Sequence, residues 1–170
     1  IVMGFLFAQM SIMAYPLRKI AGEEYNEDAL IEQMIILAPS ETEWQKFSQW
    51  TAREPHEVTP GVWIVCVKTF KPLTEFVTTF SDEYRCASVL EISNQSVIQV
   101  KVKVQSPEQM EILHSFPGCT VKFSFQFPSV GKEEHLKQVA LEVQVCCLFQ
   151  TIRSCSENNI IVVQVYDFYG

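Results

Sequence analysis

Residues 96–105, SVIQVKVKVQ, alternate without a break: Ile98, Val100, Val102 and Val104 against Gln99, Lys101, Lys103 and Gln105. Successive side chains of a strand leave opposite faces, so the run predicts a strand with one dry and one wet face. A slip of one residue would put the aliphatic groups in water and the ammonium groups in the core, which fixes the register. Residues 84–92 repeat the pattern with Tyr84, Cys86, Ser88, Leu90 and Ile92 expected inward. The turn cluster Ser93-Asn94-Gln95 then predicts a hairpin joining them to 96–105. Residues 120–127 place Val121, Phe123, Phe125 and Phe127 on one face and Lys122, Ser124 and Gln126 on the other. Residues 138–150 turn Val139, Leu141, Val143, Val145, Cys147 and Phe149 inward, ahead of a turn cluster at 154–159. Residues 61–68 and 160–169 are apolar at nearly every position and read as strands covered on both faces.

Helical spacing is rarer. Ser40-Glu41-Thr42-Glu43 has the form of a capping box. Trp44, Phe47 and Thr51 follow on one face with Trp50 beside them, predicting a helix of roughly three turns. Leu73, Phe76, Val77 and Phe80 form a second stripe, opened by Pro72 and expected as a short helix. Ser106-Pro107-Glu108-Gln109 is a third start, with Met110 and Leu113 inward and Phe116-Pro117-Gly118 as the stop. Residues 29–37 fit a helix or a buried strand equally well. Residues 1–16 are the most apolar run and read as a core strand ended by Pro16, too short to span a bilayer comfortably. Residues 17–28 are turn-like and 128–137 a polar connection. Short strands separated by turns, with few helices, predict a mainly β, α+β fold: an antiparallel β-sandwich or barrel flanked by two or three short helices. The sequence carries no evident internal repeat.

The length of 170 residues suits a single β-rich domain, 1–170, with residues 116–119 as the one place where a subdomain boundary fits. Because Ile1 rather than Met opens the sequence, a piece of a longer chain is expected. A 48% apolar and 19% charged composition is globular, and a net charge of −7 argues against a surface built for nucleic acid or anionic lipid. None of the six cysteines stands in CxxC spacing, and no Cys/His run suits zinc. Reduced, core-filling thiols inside the cell are the favoured reading. An oxidised secreted or luminal domain is the rival, aided by the glycosylation triplet Asn94-Gln95-Ser96.

Candidate chemistry is sparse. Six glycines supply no phosphate-binding loop, and neither a nucleophile elbow nor a metalloprotease helix is present. His56, His114 and His135 each stand alone. The acidic pairs Glu23-Glu24, Asp82-Glu83 and Glu133-Glu134 fall in expected loops, where water keeps both members ionised. Cys119, beside Gly118, is the least buried thiol by pattern, but no base pairs with it. No catalytic residue, cofactor or metal is therefore expected. One polar face stands out. Gln99, Lys101 and Lys103, with Lys122 and Gln126 if those strands are neighbours, would make a flat amide and ammonium surface. An oligonucleotide-binding barrel uses such a strand face with aromatic rings for base stacking, whereas here the rings are expected on the opposite side. Lysines guarding an edge strand are the simpler reading.

An acidic, aromatic helix at 40–50 beside a β-sheet resembles the ear domains of vesicle-coat adaptors, which implies an adaptor-ear-like trafficking module as one alternative. The resemblance covers those residues alone. The leading expectation is a non-catalytic scaffold or interaction module within a larger protein or complex, intracellular, with other protein subunits as partners. An edge strand or the Trp44, Phe47 and Trp50 side chains would make the contact. A nucleic-acid-binding barrel using Lys101, Lys103 and Lys122 is a further alternative.

Overall fold

The computed structural model describes residues 31–126 and 137–166. The strand expected at 1–16, the turn at 17–28, Phe127 at the end of the strand 120–127, residues 128–136 of the polar connection and the end of 160–169 lie outside the described residues. In chain order come β1 (Ile31–Leu37), a 3₁₀ turn (Trp44–Phe47), β2 (His56–Thr59), β3 (Val62–Lys68), α1 (Lys71–Glu83) and β4 (Ser88–Ile92). Then follow β5 (Val97–Val104), α2 (Pro107–Ser115), β6 (Cys119–Gln126), β7 (Lys137–Gln144), a second 3₁₀ turn (Val145–Cys147), α3 (Leu148–Glu157) and β8 (Ile161–Tyr166). Among the described residues the fold is mainly β, of the α+β class: two mostly antiparallel four-stranded sheets in a sandwich arrangement with three short helices, as the alternation predicts. The undecided segment 29–37 is strand β1.

The sheets share one plan. Their orders are β2-β3-β1-β4 and β6-β7-β5-β8, so each runs second, third, first, fourth among its own strands. The second half is β5-α2-β6-β7-α3-β8, the split βαββαβ arrangement of ferredoxin-like folds. The first half repeats it, with the 3₁₀ turn Trp44–Phe47 standing where α2 stands in the second. The chain passes from one half to the other at Ser93–Ser96; residues 116–119 are an α2-to-β6 turn inside the second half.

That plan corrects the predicted hairpin. Ser93 and Asn94 do turn tightly, both at positive φ, and Gln95 N–H donates to the Ile92 carbonyl. Beyond a single Ile92–Gln95 bridge, however, β4 pairs with β1, while β5 pairs with β7 and β8. Both edges of β5 are therefore occupied by strands of its own half, which leaves none for β4. Ile98, Val100, Val102 and Val104 are buried as expected, at the middle of the second sheet. In β4 the alternation is broken. The register against β1 skips Leu90, a bulge that leaves Val89 in the core and Leu90 exposed, opposite to the predicted phase, while Ile92 is buried as predicted.

Three further expectations change. The capping box does not form: the Glu43 N–H donates to Tyr84 Oη at 2.9 Å instead of to Ser40, whose hydroxyl donates to the Glu57 carboxylate at 2.6 Å. The helix shrinks to the single 3₁₀ turn, held by Lys46 reaching Glu83 of α1 at 2.7 Å and Glu43 at 2.9 Å. The strand at 138–150 ends at Gln144, and α3 begins four residues later. Leu148, Phe149, Ile152 and Cys155 are its buried stripe, a helical spacing that the preceding strand pattern masked. Finally, β8 is an edge strand with Ile161 exposed, and in β3 only Val65 and Val67 are fully buried. Apolar runs do not reveal whether the second face is covered.

Helix α1, predicted from its stripe and Pro72, ties the halves together. Phe80 meets the ring of Phe149 from α3 at 5.6 Å, and Arg153 donates to the Ser81 carbonyl at 3.3 Å. The buried Val165 N–H on the outer side of β8 donates to Thr74 Oγ1 at 2.8 Å, so a helix hydroxyl takes the place of a missing strand. Thr74→Val leaves that amide without an acceptor and is expected to cost about 1–3 kcal/mol, whereas Thr74→Ser retains the bond. Urea unfolding of the two variants, with amide exchange at Val165, measures it. Helix α2 starts as predicted, Ser106 Oγ accepting from Gln109 N–H at 3.3 Å, and Gln109 also donates to the Asn158 carbonyl at 3.0 Å.

Candidate functional site

The two surfaces singled out in the sequence have different fates. Trp44, Phe47 and Trp50 do gather, but against the core rather than toward a partner. Phe47 is completely buried, 4.9 Å from Phe80 and 5.9 Å from Phe76. Trp44 stacks on Phe80 at 5.2 Å and meets Trp63 at 5.1 Å, and both tryptophans of the trio are half-buried. Trp50 Nε1 donates to Glu75 at 2.9 Å, which holds that carboxyl below its usual range, with Lys71 assisting. The indole N–H groups of Trp44 and Trp63 meet no acceptor among the described residues.

The polar face forms, on the side of the second sheet away from Val100 and Val102. Cross-strand register puts Gln99 opposite Glu142 and Tyr166, Lys101 opposite Ala140 and Gln164, and Lys103 opposite Gln138 and Ile161. The condition that β5 and β6 be neighbours is not met, because β7 lies between them. Lys122 nevertheless reaches this face, its Nζ 2.8 Å from the Glu142 carboxylate.

A bulge explains how. Val121 pairs with Leu141 but Phe123 with Ala140, so Lys122 is the extra residue and the alternation reverses after it. Phe123, expected inward, stands instead on the lysine face and is 54% exposed. On β8 Tyr166 pairs with Gln99 and stands on the same side, where Lys101 Nζ lies 5.7 Å from its ring centroid, and a second shift, between Lys101 and Val102, brings Ile161 there too. The face therefore combines ammonium and amide groups on the central strands with Phe123, Tyr166 and Ile161 on the flanking ones. Bulges are set by backbone pairing, so period-two counting could not place Phe123; Tyr166 was hidden inside an apolar run.

The remaining candidates do not converge. Among the described residues no three His, Cys, Asp or Glu side chains are grouped to hold a metal. Cys119 is not the most open thiol: Cys86 and Cys146 are exposed, whereas burial, with Cys147 nearby, pushes the Cys119 thiol up to about 11. A shallow cleft beside it is lined by Val97, Gly118, Cys119, Thr120, Glu142 and Gln144. No helix among the described residues is long and apolar enough to cross a membrane.

Comparisons add little to this geometry. No protein-family model matches the chain, and no curated protein matches it. The crystal structure of protein BT0572 from Bacteroides thetaiotaomicron aligns over 79% of this chain and 91% of its own, at 9% identity and a TM-score of 0.25. A likeness at that level carries no argument about fold or function.

Proposed function

We propose that this chain is a non-catalytic interaction module, a subunit or domain of a larger assembly, and that it binds a protein partner through the outer face of the second sheet. The observation that supports this most is the reversal at Lys122, which turns Phe123 outward beside Lys101 and Lys103 and opposite the flanking Tyr166 and Ile161. Aromatic side chains beside polar ones are the composition of protein interfaces. Three lysines against the single carboxylate of Glu142 give the face a positive excess on a chain of net charge −7, so an acidic partner surface is the complement. The trio Trp44, Phe47 and Trp50 is occupied within the fold, and the adaptor-ear alternative loses the helix it rested on. All six cysteines are unbonded thiols, which supports a reducing, intracellular setting over a secreted one.

A second reading has one observation in its favour. Rings and lysines on one sheet face are also how single-stranded nucleic acid is held. Against it, the outward positions of central strands β5 and β7 are Gln99, Lys101, Lys103, Gln138, Ala140 and Glu142, with no ring on which to stack a base. The net negative charge also repels a polyanion.

A photo-crosslinking side chain at position 123 or 161, with the exposed position 79 of helix α1 as control, separates the readings in cells of the native source. Discrete protein adducts from 123 and 161, lost on Lys101→Glu/Lys103→Glu and absent from 79, are expected. Equal adducts at all three positions would remove the proposal. Salt-steep binding of labelled single-stranded RNA, abolished by Lys101→Glu, would replace it with the second reading.

A further inference from the structure

At the end of β7 the chain carries two adjacent cysteines whose placement the interaction face does not use. Cys146 is exposed and Cys147 half-buried, with their sulfur atoms 3.8 Å apart. Cys147 is the N-terminal cap residue of α3, and its sulfur rests on the backbone of Gly118, where an added Cβ would lie only 2.8 Å away. Adjacent side chains in an extended strand point apart. The 3₁₀ turn Val145–Cys147 is what brings these two thiols onto one side. One sulfur is thus open to small reagents, and the second is held beside it against the protein.

We propose that Cys146 and Cys147 form a reversible redox site that is oxidised by hydroperoxides to a vicinal disulfide. The Cys146 thiolate attacks the terminal oxygen of the hydroperoxide. The O–O bond breaks, the sulfur is oxidised to sulfenic acid, and the remaining oxygen leaves as alcohol, or as water from hydrogen peroxide. The Cys147 sulfur then attacks the Cys146 sulfur, the S–O bond breaks, and hydroxide leaves with the Cys147 proton as water. Two thiols and one hydroperoxide become one disulfide, one water and one alcohol or second water. A dithiol reductant reverses the change by taking over the S–S bond.

The exposed Cys146 is the group that meets the oxidant. Cys147 follows: burial, with Cys146 beside it, raises its thiol above the ordinary range, so it is the second sulfur, 3.8 Å from the first, and not the one that meets the oxidant. Cys119 and Cys155 are poorer rivals, because burial pushes their thiols up to about 11 and about 12. Adjacent Cα atoms are about 3.8 Å apart, shorter than the roughly 4.4 Å at which ordinary disulfides begin. The closed ring is therefore strained and readily reduced, as a reversible site requires.

Trypsin isolates the pair. Cleavage after Lys137 and Arg153 gives a peptide, residues 138–153, with Cys146 and Cys147 as its two cysteines. After graded hydrogen peroxide, that peptide is expected to lose the mass of two hydrogens and regain it with dithiothreitol. Cys147→Ser is expected to stop at a Cys146 sulfenic acid that dimedone traps, and Cys119→Ser to behave as wild type. The exposed position of Cys146 lets Cys146→Ser fold, and this variant should show no mass loss in the peptide. A disulfide joining this peptide to the one holding Cys119 or Cys155 would overturn the proposal. So would oxidation of Cys146 straight to sulfinic acid without a disulfide at any dose.

Discussion

Phe80→Ala is expected to destabilise both halves of the molecule together, by about 3–5 kcal/mol. The Phe80 ring is completely buried and sits among Phe47 at 4.9 Å, Tyr84 at 5.0 Å, Trp44 and Phe76 at 5.2 Å and Phe149 at 5.6 Å. Removing it opens a void that rings from five directions cannot close, since each is fixed by its own element. A domain is stable by roughly 5–15 kcal/mol, so the loss is a large share. The melting temperature should fall by about 10 °C. Phe149 belongs to α3 of the second half, and the effect must therefore cross between halves. Tryptophan fluorescence reports the first half, which holds Trp44, Trp50 and Trp63, while amide exchange in β5 reports the second. Loss of protection confined to residues 31–92 would show that the aromatic cluster does not couple the halves. Phe80→Leu should recover part of the loss by refilling the site.

Gly118→Ala is expected to cost about 2–4 kcal/mol, from two separable sources. Gly118 lies at φ +64, where an L side chain is strained, and its missing Cβ would sit 2.8 Å from Cys147 Sγ and 3.1 Å from Gln144 Oε1. The Gln144 amide can swing aside, but Gln144 Cβ, 3.2 Å away, cannot, and the Cys147 sulfur is the nearest obstacle. Cys147→Ala removes the obstructing sulfur, so Gly118→Ala/Cys147→Ala should be more stable than the sum of the single losses implies. The coupling falls in the range of about 0.5–3 kcal/mol expected for residues in contact. Strictly additive losses in urea unfolding would mean that the Cys147 sulfur is not what Gly118→Ala meets.

Local chemistry was legible where one residue decides one bond. Ser106, Pro107 and Gln109 start α2, and the stripe from Leu73 to Phe80 forms α1, since caps and stripes depend on neighbours within a turn. The Ser40 box failed for a complementary reason. The Glu43 N–H that the box needs found another acceptor, Tyr84 Oη, forty-one residues away, while the Ser40 hydroxyl donates to Glu57, whose carboxyl, also bonded to Gly61 N–H at 2.8 Å, is held below its usual range by the pair. The candidate face was half legible. Gln99, Lys101 and Lys103 follow from alternation alone, whereas Phe123 and Ile161 join them through register shifts between partners distant in sequence.

The amino-acid sequence by itself determined the β-rich class, the buried row Ile98, Val100, Val102 and Val104, and helices α1 and α2, because each rests on short-range periodicity and on which atoms water rejects. Tertiary structure alone decided that β4 and β5 part company, that the same four-strand order is built twice, and that Phe123 faces outward. Strand partners compete for backbone hydrogen bonds across the whole chain, and that competition leaves no mark on the residues of any one strand.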